Sequence, residues 1–95
     1  MTLRQAAKGM ACQIRLPNIC SFDKTTTVLC HMNGGGMGMK KHDIFAAIGC
    51  FDCHNEVDGR TLRMERQLVK LYFYEGVFKT QELWLKMGGI KVGKE

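Results

Sequence analysis

The stretch Cys50-Phe51-Asp52-Cys53-His54-Asn55-Glu56-Val57-Asp58-Gly59 decides how the rest of the chain is read. Two residues between the cysteines let both sulfurs reach one metal ion while backbone amides turn toward them. Asp52 through Asp58 suits a short helix, because acidic side chains in the first turn favour the positive end of the helix dipole and Gly59 closes it. On such a helix His54 and Asp58 stand one turn apart on one face, so an imidazole and a carboxylate reach a single divalent ion together. The plain alternative makes His54 a zinc ligand or cap and Asp58 only a helix-favouring residue. Taken literally, Cys50-x-x-Cys53-His54 is also the attachment motif of c-type haem, with seven methionines on offer as axial ligands. Covalent haem ordinarily goes with exported proteins, and Met1-Thr2-Leu3-Arg4-Gln5 shows no charged region leading into a long apolar run.

Upstream, Cys12-Gln13-Ile14-Arg15-Leu16-Pro17-Asn18-Ile19-Cys20 sets a Pro-Asn turn between two more cysteines. Cys12, Cys20, Cys50 and Cys53 thus supply four thiolates as two loop-borne pairs, the donor set of a tetrahedral structural zinc. Seven residues between Cys12 and Cys20 is wide for a zinc knuckle. The alternatives are a site using some of these cysteines with a histidine, or ordinary buried thiols. Thr25 to His31 is rich in β-branched residues and predicts a strand that delivers His31 at its end, with the fifth cysteine, Cys30, beside it. An imidazole there would take a proton from water beside an ion held by His54 and Asp58, the two parts that metal-assisted phosphodiester hydrolysis requires. Alone, His31 reads as a satisfied buried histidine. Asn33 to Gly38 breaks all periodicity and predicts a flexible loop; no Gly-Lys-Ser/Thr follows it, which excludes a P-loop. Ile44 to Ile48 predicts a short strand stopped by Gly49 and Cys50.

Thr2-Leu3-Arg4-Gln5 has the capping-box pattern, and the spacing of Leu3, Ala6, Ala7 and Met10 predicts an amphipathic helix over residues 3–9. Near the other end the spacing predicts a helix from Met64 to Glu75 broken at Gly76, then a last helix from a Thr80 cap to Gly88-Gly89. Tyr72, Phe73 and Trp84 read as core and the methionines as packing filler. The chain has 95 residues, 45% of them apolar, with one proline, a composition that predicts one α+β domain over residues 1–95 rather than a disordered tail. No apolar run is long enough to span a bilayer, and the expectation is a cytoplasmic protein. In a reducing compartment five cysteines fit four ligands and one spare better than disulfides. Lys and Arg number 14 against 9 acidic residues, a net +5, and Lys40, Lys41, Arg60, Arg63 and Arg66 flank the candidate site. A solvated face is the default for such charge; here it would line the approach to an anionic backbone.

The order of strand histidine, Gly-rich loop, apolar strand, Cys-x-x-Cys-His and helix resembles the HNH, or ββα-metal, nucleases. The closest resemblance is to the small phage and prophage group that includes YbcO and is related to the recombination enhancement nuclease Ref. It is carried by Cys12 to Pro17 with Cys20, Val28-Leu29-Cys30-His31, Asp43-Ile44 through Ile48, Cys50-x-x-Cys53-His54 with Asp58, and Thr80-Gln81 with Trp84-Leu85-Lys86, which together span most of the chain. The resemblance implies a metal-dependent DNA nuclease with a cysteine-held structural zinc, His31 as general base, and His54 with Asp58 as catalytic-metal ligands. By order, Asp43 is the nearest candidate for the middle Asn of HNH, with His42 beside it. Many HNH proteins carry an acidic residue or histidine just before the base, where this chain has Cys30.

The expectation is therefore a small zinc-stabilised HNH-like domain with additional helices that hydrolyses DNA using Mg²⁺, Mn²⁺, Ni²⁺ or Zn²⁺. Histidine ligation leaves the transition ions as eligible as Mg²⁺. The competing expectation is a zinc-dependent DNA- or protein-binding module that kept the fold without the chemistry, and a recombination protein is a further candidate partner.

Overall fold

The computed structural model describes residues 2–31 and 43–88. Helix α1 (Leu3–Ala7) opens on the expected reciprocal cap: the Gln5 amide donates to Thr2 Oγ1 at 3.2 Å, and the Thr2 amide donates to Gln5 Oε1 at 3.1 Å. It ends two residues earlier than predicted, with Gly9 at φ +82° turning the chain into the cysteine loop.

Strand β1 (Val28–Cys30) is shorter than the β-branched run predicts. Lys24–Thr26 instead winds into a 3₁₀ turn, because Asp23 Oδ1 accepts from the Thr25 amide at 2.9 Å and the Thr25 hydroxyl at 2.6 Å. A side-chain carboxylate offering the backbone a local partner overrides strand propensity. Strand β2 (Ala47–Gly49) shows the same shortening, since Asp43–Phe45 is a second 3₁₀ turn where the strand was expected to begin.

The two strands pair antiparallel in the register Val28–Gly49, Leu29–Ile48 and Cys30–Ala47. A two-stranded sheet this short needs helices to hold it. Ile48 supplies the link: its amide donates to Thr80 Oγ1 at 3.1 Å and its carbonyl accepts from the Gln13 amide at 2.7 Å. The pleat divides the core accordingly. Leu29 and Ile48 join Ala7, Ala46 and Trp84, while Cys30 and Ala47 face Ile14, Val57, Val69, Phe73, Val77 and the other cysteines.

Helix α2 (Phe51–Asp58) lies where the sequence puts it, closed by Gly59 at φ +79°. Helix α3 (Arg66–Met87) corrects the expectation of two helices. Gly76 is not a break but a close approach: a Cβ there would meet the Ile14 Cα and Cγ1 at 3.1 Å and the Gln13 carbonyl oxygen at 3.2 Å. Thr80 is not a cap; it is buried mid-helix with its hydroxyl on β2. The single helix therefore spans both halves of the core, Val69, Phe73 and Val77 on the cysteine side and Trp84 on the α1 side. Among the described residues, no helix is long and apolar enough to cross a membrane.

Candidate metal centre and the two histidine–carboxylate pairs

The sulfurs of Cys12, Cys20, Cys50 and Cys53 all lie within 4.8 Å of one another. Cys12 Sγ stands 3.8 Å from Cys53 Sγ, and Cys50 Sγ 3.7 Å from Cys20 Sγ. Four sulfurs about 2.3 Å from a central zinc would be about 3.8 Å apart. The cage is thus of the size a tetrahedral thiolate site requires, and the four cysteines could hold a metal ion.

The backbone is bent to serve it. The Arg15 amide points at Cys12 Sγ at 3.5 Å and the Phe22 amide at Cys20 Sγ at 3.4 Å. Both residues sit in the left-handed region, at φ +52° and +57°, as does Asn18 between them at φ +61°. Left-handed backbone costs a residue with a Cβ roughly 1–2 kcal/mol, so three instances in eight residues mark a loop held by what its amides bond. The wide Cys12–Cys20 spacing also has a packing cause. Ile14, Leu16 and Ile19, all buried, come from inside the loop and form the floor on which α3 rests.

Cys53 donates to Cys12, whose pKa falls to about 5, while that shared proton and burial push Cys53 well above the thiol range. Burial pushes Cys20 up to about 12. Burial also works against ionising Cys50, but the Cys53 amide and Ser21 outweigh it and hold Cys50 below the ordinary value. Cys30 stays outside the cluster, fully buried against Gly49, with burial the main force raising its pKa.

Each candidate histidine is paired with a carboxylate. His31 Nε2 lies 2.9 Å from Asp43 Oδ1, and the Arg4 guanidinium approaches the same oxygen at 3.3 Å. The hydrogen bond from His31, joined by that from Arg4 and the Arg4 charge, holds the Asp43 carboxyl below its usual range against desolvation. On α2, His54 Nε2 lies 3.1 Å from Asp58 Oδ2, both partly exposed. Two donors bonded to one octahedral ion at about 2.1 Å are about 3 Å apart when adjacent, so this pair is spaced as neighbouring ligands. Among the described residues, the four cysteines are the group of three or more candidate ligands whose donor atoms converge; the histidines form pairs.

Arg60 is exposed, with Nε 4.0 Å from Asp58 Oδ2. Arg63 donates to the Asn18 carbonyl at 3.0 Å, tying it to the cysteine loop. Arg66, expected at the approach to the site, instead donates to the Glu56 and Val57 carbonyls at 2.7 and 3.0 Å and so caps α2. Lys40, Lys41, His42 and the Gly-rich loop lie outside the described residues.

Sequence reasoning passed over Glu56. Its fully buried carboxylate accepts from the Thr61 hydroxyl, the Arg63 amide at 2.8 Å and the Met64 amide at 2.9 Å. Burial works to raise its pKa, but these donors and Arg66 outweigh it and hold Glu56 below the usual carboxylate value. The signal available in the sequence was an acidic residue on the buried side of α2, between Cys53 and Val57.

A family model described as "Putative nuclease YbcO" matches residues 1–89. "Putative nuclease YbcO" of Escherichia coli (strain K12) is 41% identical over 92 residues, covering 94% of this chain and 96% of the relative. "Putative nuclease ybcO" of Enterobacteria phage 82 matches with the same identity and coverage. A solved structure, "Structure of a putative bacteriophage protein from Escherichia coli str. K-12 substr. MG1655", superposes with a TM-score of 0.79 at 38% identity, covering 92% of this chain and all of that one. With the cysteine cage and the histidine pairs inside the matched residues, the chain belongs to the YbcO family.

Proposed function

We propose that the chain is a metal-dependent endonuclease that hydrolyses DNA phosphodiester bonds from one HNH-like ββα-metal domain over residues 1–95, stapled by zinc at Cys12, Cys20, Cys50 and Cys53. The observation that carries this reading is that both candidate histidines are matched to carboxylates, His31 to Asp43 and His54 to Asp58, in a chain whose relatives are named as nucleases. An ionised carboxylate only accepts, so Asp43 fixes the proton of His31 on Nε2 and leaves the Nδ1 lone pair free to take a proton from water. Asp43 also stabilises the imidazolium that results. His54 and Asp58 would hold the divalent ion, Mg²⁺, Mn²⁺ or Zn²⁺, which when bound supplies Lewis-acid stabilisation of the phosphoryl charge. Arg60 and Arg63, with Lys40 and Lys41, would bind neighbouring phosphates, making binding salt-sensitive. The setting that fits is the host cytoplasm, with a phage recombination protein as a further partner.

The test is cleavage of supercoiled and linear DNA by the zinc-loaded protein across added divalent metals. His31→Ala should lower the rate by about 10²–10⁴ with the fold intact, the usual contribution of a general base. Undiminished cleavage by this variant would remove His31 from the mechanism.

A second reading is favoured by Cys30. It occupies the place before the base where many related enzymes keep a ligand, and it is buried among apolar side chains. On that reading the fold serves as a zinc-dependent DNA- or protein-binding module. DNA binding without divalent-dependent cleavage is the outcome that selects it.

A further inference from the structure

Helix α3 buries one face and leaves the opposite one apolar. Val69, Phe73, Gly76, Val77, Thr80 and Trp84 point into the core, while Leu71, Tyr74, Phe78 and Leu85 are exposed, Phe78 at 68%. The exposed four fall at intervals of three, four and seven residues, which is the a/d spacing of a coiled-coil seam, with Gln81 at the remaining d position. Phe73, Val77 and Trp84 already anchor the other side, so the four exposed apolar side chains are surplus to this chain's own packing, while Gln81 donates to the Ile44 carbonyl at 2.6 Å. The seam presents on the order of 500 Å² of apolar side chain, a large part of the roughly 800 Å² per partner that a standard interface buries.

The charges beside the seam say what covers it. Lys70 lies on one flank and Glu75 on the other, five residues apart, at g and e of consecutive heptads. In a parallel two-stranded pair the g residue of one helix meets the following e residue of its neighbour, so Lys70 would meet the second copy's Glu75, and the two-fold axis repeats the contact. An antiparallel pair would instead set Glu75 and Glu82 against the same residues of the second copy, with like charges opposed. We infer that α3 pairs in parallel with α3 of a second copy of this chain, through Leu71, Tyr74, Phe78 and Leu85, with Lys70–Glu75 ion pairs fixing the orientation. This assembly is independent of the nuclease reading.

Sedimentation equilibrium of the metal-loaded full chain tests it. The wild type should be a reversible dimer, and Phe78→Glu a monomer with unchanged helicity and bound metal. Leu71→Glu is the second probe of the seam, in case Phe78→Glu unfolds. Lys70→Glu and Glu75→Lys should each weaken the dimer about tenfold, and the double swap should restore it to within about threefold. A monomeric wild type, or a dimer that survives both seam variants, overturns the interface. Dimerisation that the single swaps leave unchanged, or that the double swap does not restore, overturns the parallel pairing.

Discussion

On one side of α2 four sulfurs converge within 4.8 Å, buried or half-buried, with amides from left-handed residues aimed at them. Also on α2, His54 and Asp58 form a pair, partly open to water, with Arg60 near Asp58, and at the end of β1 His31 and Asp43 form another, with Arg4 on the same carboxylate oxygen. The cysteine side has all its donors in place and strained backbone to keep them there. Among the described residues, each histidine bonds its carboxylate through Nε2 alone. The cysteines have the geometry to enclose an ion on all sides, whereas each histidine–carboxylate pair offers two donors and leaves the rest of an ion's shell open.

The largest effect should come from breaking the closed side. Cys53→Ser, or stripping the protein with a strong chelator, should abolish cooperative folding, since bound zinc supplies on the order of 10 kcal/mol in small domains of this kind. Circular dichroism with metal analysis checks this, and a chelated protein that melts like the untreated one would contradict it. Next comes the support beneath α2. Glu56→Gln should cost roughly 1–2 kcal/mol, because its amide oxygen can keep the Arg63 and Met64 amides but its NH2 replaces the oxygen that accepts from the Thr61 hydroxyl, and the charge that strengthens all three bonds is lost. The pH dependence has a definite sign. With its folded value below the ordinary carboxylate value, the Glu56 contribution is full above the unfolded pKa and is lost as pH falls through the folded one. Denaturant midpoints taken from neutral to acid pH should fall in the wild type with a component that Glu56→Gln lacks.

Effects of similar size or smaller are expected at Gly76 and Asp43. Gly76→Ala should destabilise by about 1–2 kcal/mol, since the added methyl meets Ile14 backbone and outweighs the gain in helix propensity. A melting temperature that rises instead would show that the α3–cysteine loop contact is loose. Asp43→Asn should leave stability nearly unchanged and lower DNA cleavage by less than His31→Ala does, because Asp43 would orient the base and stabilise its imidazolium without itself taking the proton; steady-state rates of the two variants settle the order.

Much of this was legible in the chain. Thr2 and Gln5 announce their cap, Gly59 its helix end, and the two cysteine pairs their common destination. What was hidden depends on partners far away in sequence. Gly76 and Thr80 carry the local marks of a helix break and a helix start, and only the approach of Ile14 and the amide of Ile48 turns them into interior positions. Leu71 fits the helical spacing of α3 yet lies on its exposed face, since periodicity gives a stripe without saying which stripe faces the core. Asp23 shortens β1 through a local carboxylate bond that β-propensity does not contain. Glu56 looks like a surface residue until its three donors, all from the loop after α2, are in place.

On the proposed reading one ion is locked by the cysteines while a second, exchangeable one is taken by His54 and Asp58. Calorimetric titration of Mn²⁺ into the zinc-loaded protein tests it most directly. The prediction is one further equivalent bound by the wild type and lost in both His54→Ala and Asp58→Ala, with the tightly held zinc unchanged. No second equivalent, or one that survives both substitutions, would contradict it.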